Sequence, residues 1–477
     1  MIDNLNTKKV SYLRTVLITA LVLCFVFVAP VSAANIDETA ESIANLETAL
    51  TFVWLILAGA IVFFMHAGFS LLESGLTRTK NTANILMKNL ITISLGVIIY
   101  WIIGWGIMYG ASASGLVGTD QFLLSGADNS LWNEWWFQMV FAATAATIVS
   151  GALAERTSLK AYIAFTIVMV ALIYPIHGHW VWGDEQLSLL SGSESPIVTL
   201  IGAALHDFAG SGVVHSIGGY AALAGAIVVG ARIGKFKNGV PQVIPGHSLT
   251  FAFLGTLILA FGWIGFNGGS TLDGNDAYMN LVIVNTFLSA AAGALTVLLI
   301  TWKKVGKPDP SLTANGLLAG LVSITAPCGS VENWAAIVIG IVGGIILYSG
   351  VMFNENVLKV DDPVGAIAVH GYAGSWGLLS VGIFSVGIGN GILVDAVYAA
   401  EGAGLIYGGI NQFIIQMVGV LFTIIWAFGV SYLVFKLIDA TIGMRVSETE
   451  EIIGLDICEH GVQAYPEYIL EDGEIGD

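Results

Sequence analysis

The chain has 477 residues, of which 56% are hydrophobic and only 11% charged, against about 25% charged in an ordinary soluble domain. Its apolar residues come in long uninterrupted runs and its mean hydropathy is +0.82, which excludes a soluble globular protein and predicts a multi-pass membrane protein. The formal charge of −17 says less than its distribution. Cys24, Cys328 and Cys458 lie far apart without CxxC spacing, so neither a disulfide framework nor a metal site is expected.

Residues 1–34 stand apart. Lys8, Lys9 and Arg14 precede the apolar run VLITALVLCFVFVAP, and VSAAN offers small residues for cleavage. That pattern predicts a secretory signal peptide, removed on the outside. The alternative is an uncleaved extra span, for which the run is short.

Residues 35–437 predict an all-α membrane domain with eleven spans. They lie near 49–71, 87–110, 134–153, 159–181, 207–230, 248–266, 279–301, 312–326, 334–354, 363–387 and 409–437. Helices are expected because a chain in lipid must satisfy its own backbone. The eighth span is short and must run steeply or be sheltered by neighbours. Fourteen Lys and Arg residues follow the leader. Arg78, Lys80 and Lys88 mark the first connection, Arg156 and Lys160 the third, and Arg232, Lys235 and Lys237 the fifth. Lys303, Lys304 and Lys307 mark the seventh, Lys359 the ninth, and Lys436 and Arg445 the end of the last span. The intervening loops carry none. This alternation puts the N-terminus outside and the C-terminus in the cytoplasm. From Asp439 onward the tail holds eleven acidic residues against Arg445 alone. By composition it reads as a solvated tail, with a regulatory handle over 438–477 as the alternative.

Within the spans, Asp207 precedes His215 by eight residues and Asp362 precedes His370 by eight. The histidines fall in spans five and ten, which enter the membrane from opposite sides. Two five-helix units of opposite topology, a five-plus-five inverted repeat, are therefore expected. Each aspartate sits where a helix should start and is expected first as an N-cap. A lone histidine in a span is often a satisfied core residue, but two at equivalent positions point to a pathway. Gly218, Gly219, Gly371, Gly374 and Ser375 allow spans five and ten to approach closely. The two imidazoles then lie side by side in an apolar lumen, each ring offering one donor and one acceptor when neutral. That arrangement suits a small neutral hydrogen-bonding solute or a proton.

Aromatic residues collect where spans three, four and six reach the outer side. Phe137 and Phe141 lie one helical turn apart, Trp180 and Trp182 end span four, and Trp263, Phe266 and Ser270 end span six. Trp135, Trp136, Trp180 and Trp263 are expected in an interfacial belt. Others can form a cation-attracting vestibule, in which a ring face contributes about 0.5–2 kcal/mol to an ammonium-type ion.

Taken together, FFMHAGFSLLESGLTRTKN, GALAER, HDFAGSGVVH, GWIGFNGGS, PSLTANGLLAGLVSITAPC, DDPVGAIAVHG and GMRVSETEEIIGLDICEHG resemble the ammonium transporters of the Amt/Mep/Rh superfamily. The resemblance spans about residues 49–465, and GALAER and GMRVSE are similar to the Amt branch. It implies a homotrimer with a separate pore in each subunit, in the plasma membrane. It implies ammonium and methylammonium as substrates, bound by Trp182, Phe141 and Ser270 with Phe137 beside them. It makes Phe141 and Phe266 a pore gate, His215 and His370 the twin histidines, and Asp207 a structural and electrostatic group. It gives the tail a PII-type nitrogen signal protein as partner, and calls for no cofactor, no enzymatic activity and no nucleic acid. Gly365 replaces an acidic residue that some members carry five positions before the second histidine. The loop 183–205 is long, and Glu73 replaces an apolar or aromatic residue without an assignable role. The expected activity is ammonium uptake, with NH4+ losing its proton near the gate and NH3 crossing past the histidines. The alternatives are an ammonium sensor, which usually carries an output domain, a low-flux Rh-type gas channel, and a haem protein with His215 and His370 as axial ligands.

Overall fold

A computed structural model of the protein describes residues 36–112, 114–387 and 402–466. The expected signal peptide and the last residues of the tail lie outside the described residues. The chain divides into two compact units, residues 1–51 and 52–477. The described part of the first unit is helical, and its residues 39–50 are exposed.

Eleven helices correspond to the eleven expected spans. In order they are α1 Ile36–Leu76, α2 Thr79–Tyr109, α3 Asn129–Ala152, α4 Leu159–Trp182, α5 Ser211–Val229 and α6 Leu249–Gly269. They continue with α7 Met279–Val305, α8 Pro310–Ile324, α9 Asn333–Leu358, α10 Ile367–Phe384 and α11 Asn411–Thr441. Nine of them are long and apolar enough to cross a membrane, which makes this a mostly helical, multi-pass membrane protein. The other two differ for separate reasons. α8 has 15 residues. α3 has 24, but it buries Gln138, Thr144, Thr147 and Ser150; a helix enclosed by other helices can carry polar side chains that a lipid-facing one would not. Helix ends fall outside the apolar runs because polar caps set them. Asp128 accepts from the Leu131 N–H and Asp309 from the Leu312 N–H, both at 2.9 Å.

α5 and α10 open in the same irregular way. Each begins with a π-helical turn, Ser211–Ser216 and Ile367–Tyr372, a widening that is frequent at functional sites. Asp207 accepts from the N–H groups of Gly210, Gly212 and Val213 at 2.9–3.0 Å. Asp362 does the same for Gly365, Ala366 and Ile367 at 2.7–3.1 Å. Both turns contain a left-handed residue, Gly210 at φ 106° and Gly365 at φ 80°, which glycine adopts without Cβ strain. The helices cross at Gly219, where a Cβ would run into the backbone of Gly371. Three contacts at the crossing join residues 155 positions apart: His215 with His370, Ser216 with Gly371, and Tyr220 with Ser375. The non-helical chain before α5 is held by Gln416 of α11, which accepts from the His206 N–H at 2.9 Å and donates to its carbonyl at 2.8 Å. Irregular backbone at membrane depth survives where protein supplies its partners.

The basic connections meet on one face. Arg78 pairs with Glu155 at 2.5 Å, Arg232 with Glu155 at 3.3 Å and with Asp361 at 2.8 Å. Arg156 donates to the carbonyls of Gly230 and Asp361. Burial pushes the carboxyls of Glu155 and Asp361 up, but Arg232 with Arg78 holds the first below the usual carboxylate range. Arg232 and Arg156 hold the second well below it. On the same face a hairpin pairs β1 Phe236–Lys237 with β2 Val240–Pro241. Its Asn238–Gly239 turn has positive φ at both residues, 52° and 76°, as a two-residue hairpin requires.

The described part of the tail is ordered and docks one side of itself, with Met444, Glu451, Leu455 and Asp456 buried. Ser447 and Glu450 form a capping box for α12 Glu448–Ile453, followed by α13 Leu455–His460. Asp456 accepts from the Asn84 N–H and Glu459 from the Leu159 N–H, both at 2.8 Å. Lys80 donates to the Glu451 carbonyl at 2.7 Å. Arg445 pairs with Glu451 at 2.6 Å, just after Gly443 turns the chain at φ 83°. Among the described acidic residues of the tail, Asp456 and Glu459 are engaged by backbone N–H groups near the first and third connections, and Glu451 by the Ile233 N–H and by Arg445.

Candidate functional site

At the end of the bundle opposite Glu155, the start of α3 meets the ends of α4 and α6. A cavity of about 200 Å³ opens there, lined by Tyr109, Glu134, Gln138, Phe141, Trp182, Phe208, Ser270 and Leu272. Trp182 is fixed by its indole N–H, which donates to the Asp207 carbonyl at 2.7 Å. Its ring meets Phe141 edge-on at 6.4 Å. The Ser270 hydroxyl donates to the Phe266 carbonyl at 2.8 Å, which leaves its oxygen lone pairs as acceptors. Phe137 is 1% exposed and packs 4.8 Å behind Phe141 rather than lining the cavity. The Asp207 carboxylate is spent on the turn that opens α5 and also does not line it. Glu134, Gln138, Tyr109 and Phe208 were not singled out from the sequence. The first two had a readable signal, since Glu134, Gln138 and Phe141 fall at i, i+4 and i+7 on one helix face.

Below the cavity the aromatic rings close up. Phe141 and Phe266 lie 4.1 Å apart between centroids at an interplanar angle of 31°. Behind them His215 stacks between Phe266 and Trp263, each 5.3 Å away. His370 follows, with ring centroids 5.2 Å apart and an Nδ1···Nδ1 hydrogen bond of 3.1 Å. One ring donates in that bond and the other accepts. If both are neutral, one Nε2 carries a hydrogen and the other a lone pair. His215 Nε2 is buried without a partner. Nitrogens in such contact leave no space for an iron between them, so the haem arrangement does not fit these two residues. Trp263 and Trp180 differ from the belt expected for them. Trp263 is fully buried, with its N–H on Thr325 Oγ1 at 2.9 Å. Trp180 is 8% exposed, with its N–H on the Leu116 carbonyl.

Beyond His370, at the charged-face end, a cavity of about 20 Å³ is lined by Phe69, Glu73, Asn315, Val364 and His370 among others. It has room for one molecule the size of water or ammonia.

A sequence model of the Ammonium Transporter Family matches residues 53–465. Ammonium transporter Amt2 of Archaeoglobus fulgidus is 45% identical over 437 residues, covering 90% of this chain and 91% of that protein. Ammonium transporter Amt1 of Haloferax mediterranei is 40% identical over 441 residues, covering 89% and 81%. Among solved structures, one named Sensor Amt Protein superposes with a TM-score of 0.79 at 37% identity, over 87% of this chain and all of that one. Mep2 of Candida albicans gives 0.75 at 28% identity, over 88% and 92%. This multi-pass membrane chain belongs to the ammonium transporter family.

Proposed function

We propose that the protein takes up ammonium by binding NH4+ in the aromatic cavity, removing its proton at the Phe141–Phe266 pair and passing NH3 along His215 and His370. The observation that carries this reading is the unbroken line of ring contacts from Trp182 through Phe141, Phe266 and His215 to His370. The cavity offers what a cation needs: ring faces, the lone pairs of Ser270 and the carboxyl of Glu134. The histidine segment offers what a neutral amine needs. An unpartnered polar group there costs about 2–7 kcal/mol, part of which each imidazole offsets, while a bare alkali ion would cost far more. In this reading Phe137 backs the aromatic site, and Asp207 acts by fixing the turn that presents Trp182 and His215. Liposomes containing the protein, pulsed with ammonium while charge movement and internal pH are recorded, test the reading. Saturating flux that is blind to K+ is expected, and its absence would count against it.

The same reading places the N-terminus outside and the basic face in the cytoplasm, at the plasma membrane, because the Lys and Arg residues lie on that face. The contacts at a constant offset of 155 residues support a five-plus-five inverted repeat. Family membership supports a homotrimer with a pore in each subunit, and a PII-type protein as partner of the tail. Deleting residues 443–477 should abolish PII binding and lower transport while the bundle stays folded. Full PII binding by the truncated protein, measured by pull-down from detergent, would contradict that assignment.

A further inference from the structure

The small cavity beyond His370 contains two groups that the transport reading leaves unused. Glu73, at the end of α1, is 2% exposed. Its Oε2 accepts from the Ser150 hydroxyl at 2.7 Å, and a carboxylate can accept several more hydrogen bonds. Asn315, near the start of α8, is 5% exposed. Its NH2 donates to the Val364 carbonyl at 2.9 Å, which can only accept, so the orientation of the amide is fixed. Asn315 Oδ1 is then left buried without a partner, an arrangement that is costly unless a ligand supplies donors. The remaining walls are apolar: Phe69, Leu72, Ile148, Leu318 and Val369. A one-molecule cavity with two oxygen acceptors and an imidazole suits a solute made of N–H donors.

Behind the carboxylate stands a second charge. Lys88 is 1% exposed; its ammonium donates to the Ser150 carbonyl at 3.0 Å and lies 5.3 Å from the Tyr162 ring centroid. Ser150 therefore links Lys88 and Glu73, with its carbonyl on one and its hydroxyl on the other. A buried ammonium needs an opposite charge nearby, and Glu73 is the acid this link provides. The carboxylate form is thus supported from behind while its front faces the path.

We propose that Glu73 is the inner proton-exchange group of the pathway, which together with Asn315 receives NH3 from His370 and returns it to NH4+. This rests on the transport reading given above. In the step, a Glu73 carboxyl O–H bond breaks as an N–H bond forms, leaving a carboxylate beside NH4+, which departs to the cytoplasm. The carboxylate regains the proton that NH4+ surrendered at the aromatic cavity. The imidazole pair carries it, because a proton accepted at one Nε2 is released at the other when the shared Nδ1 hydrogen moves across. One NH4+ enters and one leaves, Glu73 regains its proton, and the imidazole pair is left with its two tautomers exchanged, so the shared hydrogen must cross back before the pair relays again in the same direction.

The test uses the full chain in liposomes on solid-supported membranes, pulsed with ammonium chloride. Glu73→Gln keeps the size and the Ser150 bond but cannot exchange a proton. It should cut the maximal current about a hundredfold, the low end of what a positioned acid–base group contributes, with half-saturating ammonium unchanged. Glu73→Asp should keep part of the current. The double variant Glu73→Gln/Lys88→Met removes the unbalanced ammonium and separates exchange from charge pairing. If Glu73 only neutralised Lys88, the double variant would recover wild-type current, and that result would overturn the proposal. Continued loss in the double variant, with normal gel-filtration behaviour, supports it. His215→Leu/His370→Leu runs alongside. Wild-type current there would sink the transport reading itself, whereas loss there with wild-type current in Glu73→Gln would sink only this inference.

Discussion

The charged face and the pore axis both bury polar side chains, but they treat them differently. On the charged face each buried ion meets an opposite charge or a carbonyl. Glu155 lies between Arg78 and Arg232, Asp361 takes Arg232, and Arg156 reaches three carbonyls. Along the pore axis His215 Nε2 and Asn315 Oδ1 are buried without partners, and the rings around them have little else to offer. Removing a charge from water is expensive unless it is paired, so the first region is scaffold and its buried charges engage one another. The second keeps hydrogen-bonding capacity in line with the aromatic cavity and the small inner cavity, where a passing solute can use it. Partner-rich burial holds this fold together. Partner-poor burial in line with two cavities marks its route.

The comparison can be broken most forcibly at the charged face. Arg232→Ala would leave Asp361 with an uncompensated buried charge and Glu155 with Arg78 alone, and breaking such a pair costs about 3–5 kcal/mol. A large drop in the thermal midpoint of detergent-solubilised protein is expected, together with reduced folded yield. Unchanged stability would mean that the cluster is not scaffold.

Acid probes the same cluster more gently. Glu155 and Asp361 are held below their ordinary values in the folded protein, so the unfolded chain binds protons more readily than the native one. Their contribution is full above the ordinary carboxylate range near pH 4. It is lost as pH falls from there through the folded values, amounting to about 1–3 kcal/mol. A midpoint-versus-pH series should therefore fall on the acid side, and should fall less in Asp361→Asn, which starts lower. A wild-type series that is flat from pH 6 to about 3 would contradict this assignment.

The smallest expected effect is at the aromatic cavity. Trp182→Leu should weaken ammonium recognition by about 0.5–2 kcal/mol, read as a higher half-saturating concentration for ammonium and methylammonium. No change would place Trp182 among surface aromatics and outside the site.

Much of the frame was legible in the sequence because lipid imposes simple rules. Apolar run length located eleven helices, and the alternation of Lys and Arg collected the connections that do meet on one face. The spacing of Asp207 to His215 and Asp362 to His370 identified the two helices that cross at the centre. Other features depend on which way a side chain turns, and run length is silent about that. Trp263 was assigned to the interface although it stacks against His215, since a tryptophan near a helix end looks alike in both settings. Glu134 and Gln138 lay on the same helical face as Phe141 but were masked by the surrounding tryptophans. Counting acids reads the tail as solvated, whereas Asp456 and Glu459 find backbone N–H partners that composition cannot show. Glu73 had no role until the fold set it beside Asn315 and His370.

The central claim is that the paired imidazoles are the route, and replacing both is the most direct test of it. His215→Leu/His370→Leu keeps the volume and the apolar walls and removes every hydrogen bond the pair can offer. Ammonium and potassium currents would be recorded side by side on solid-supported membranes, with Trp182 and the charged face left intact. The account predicts a folded protein whose ammonium current is suppressed and which still rejects K+. Wild-type ammonium current with K+ still excluded would show that the histidines are packing and that ammonium crosses elsewhere.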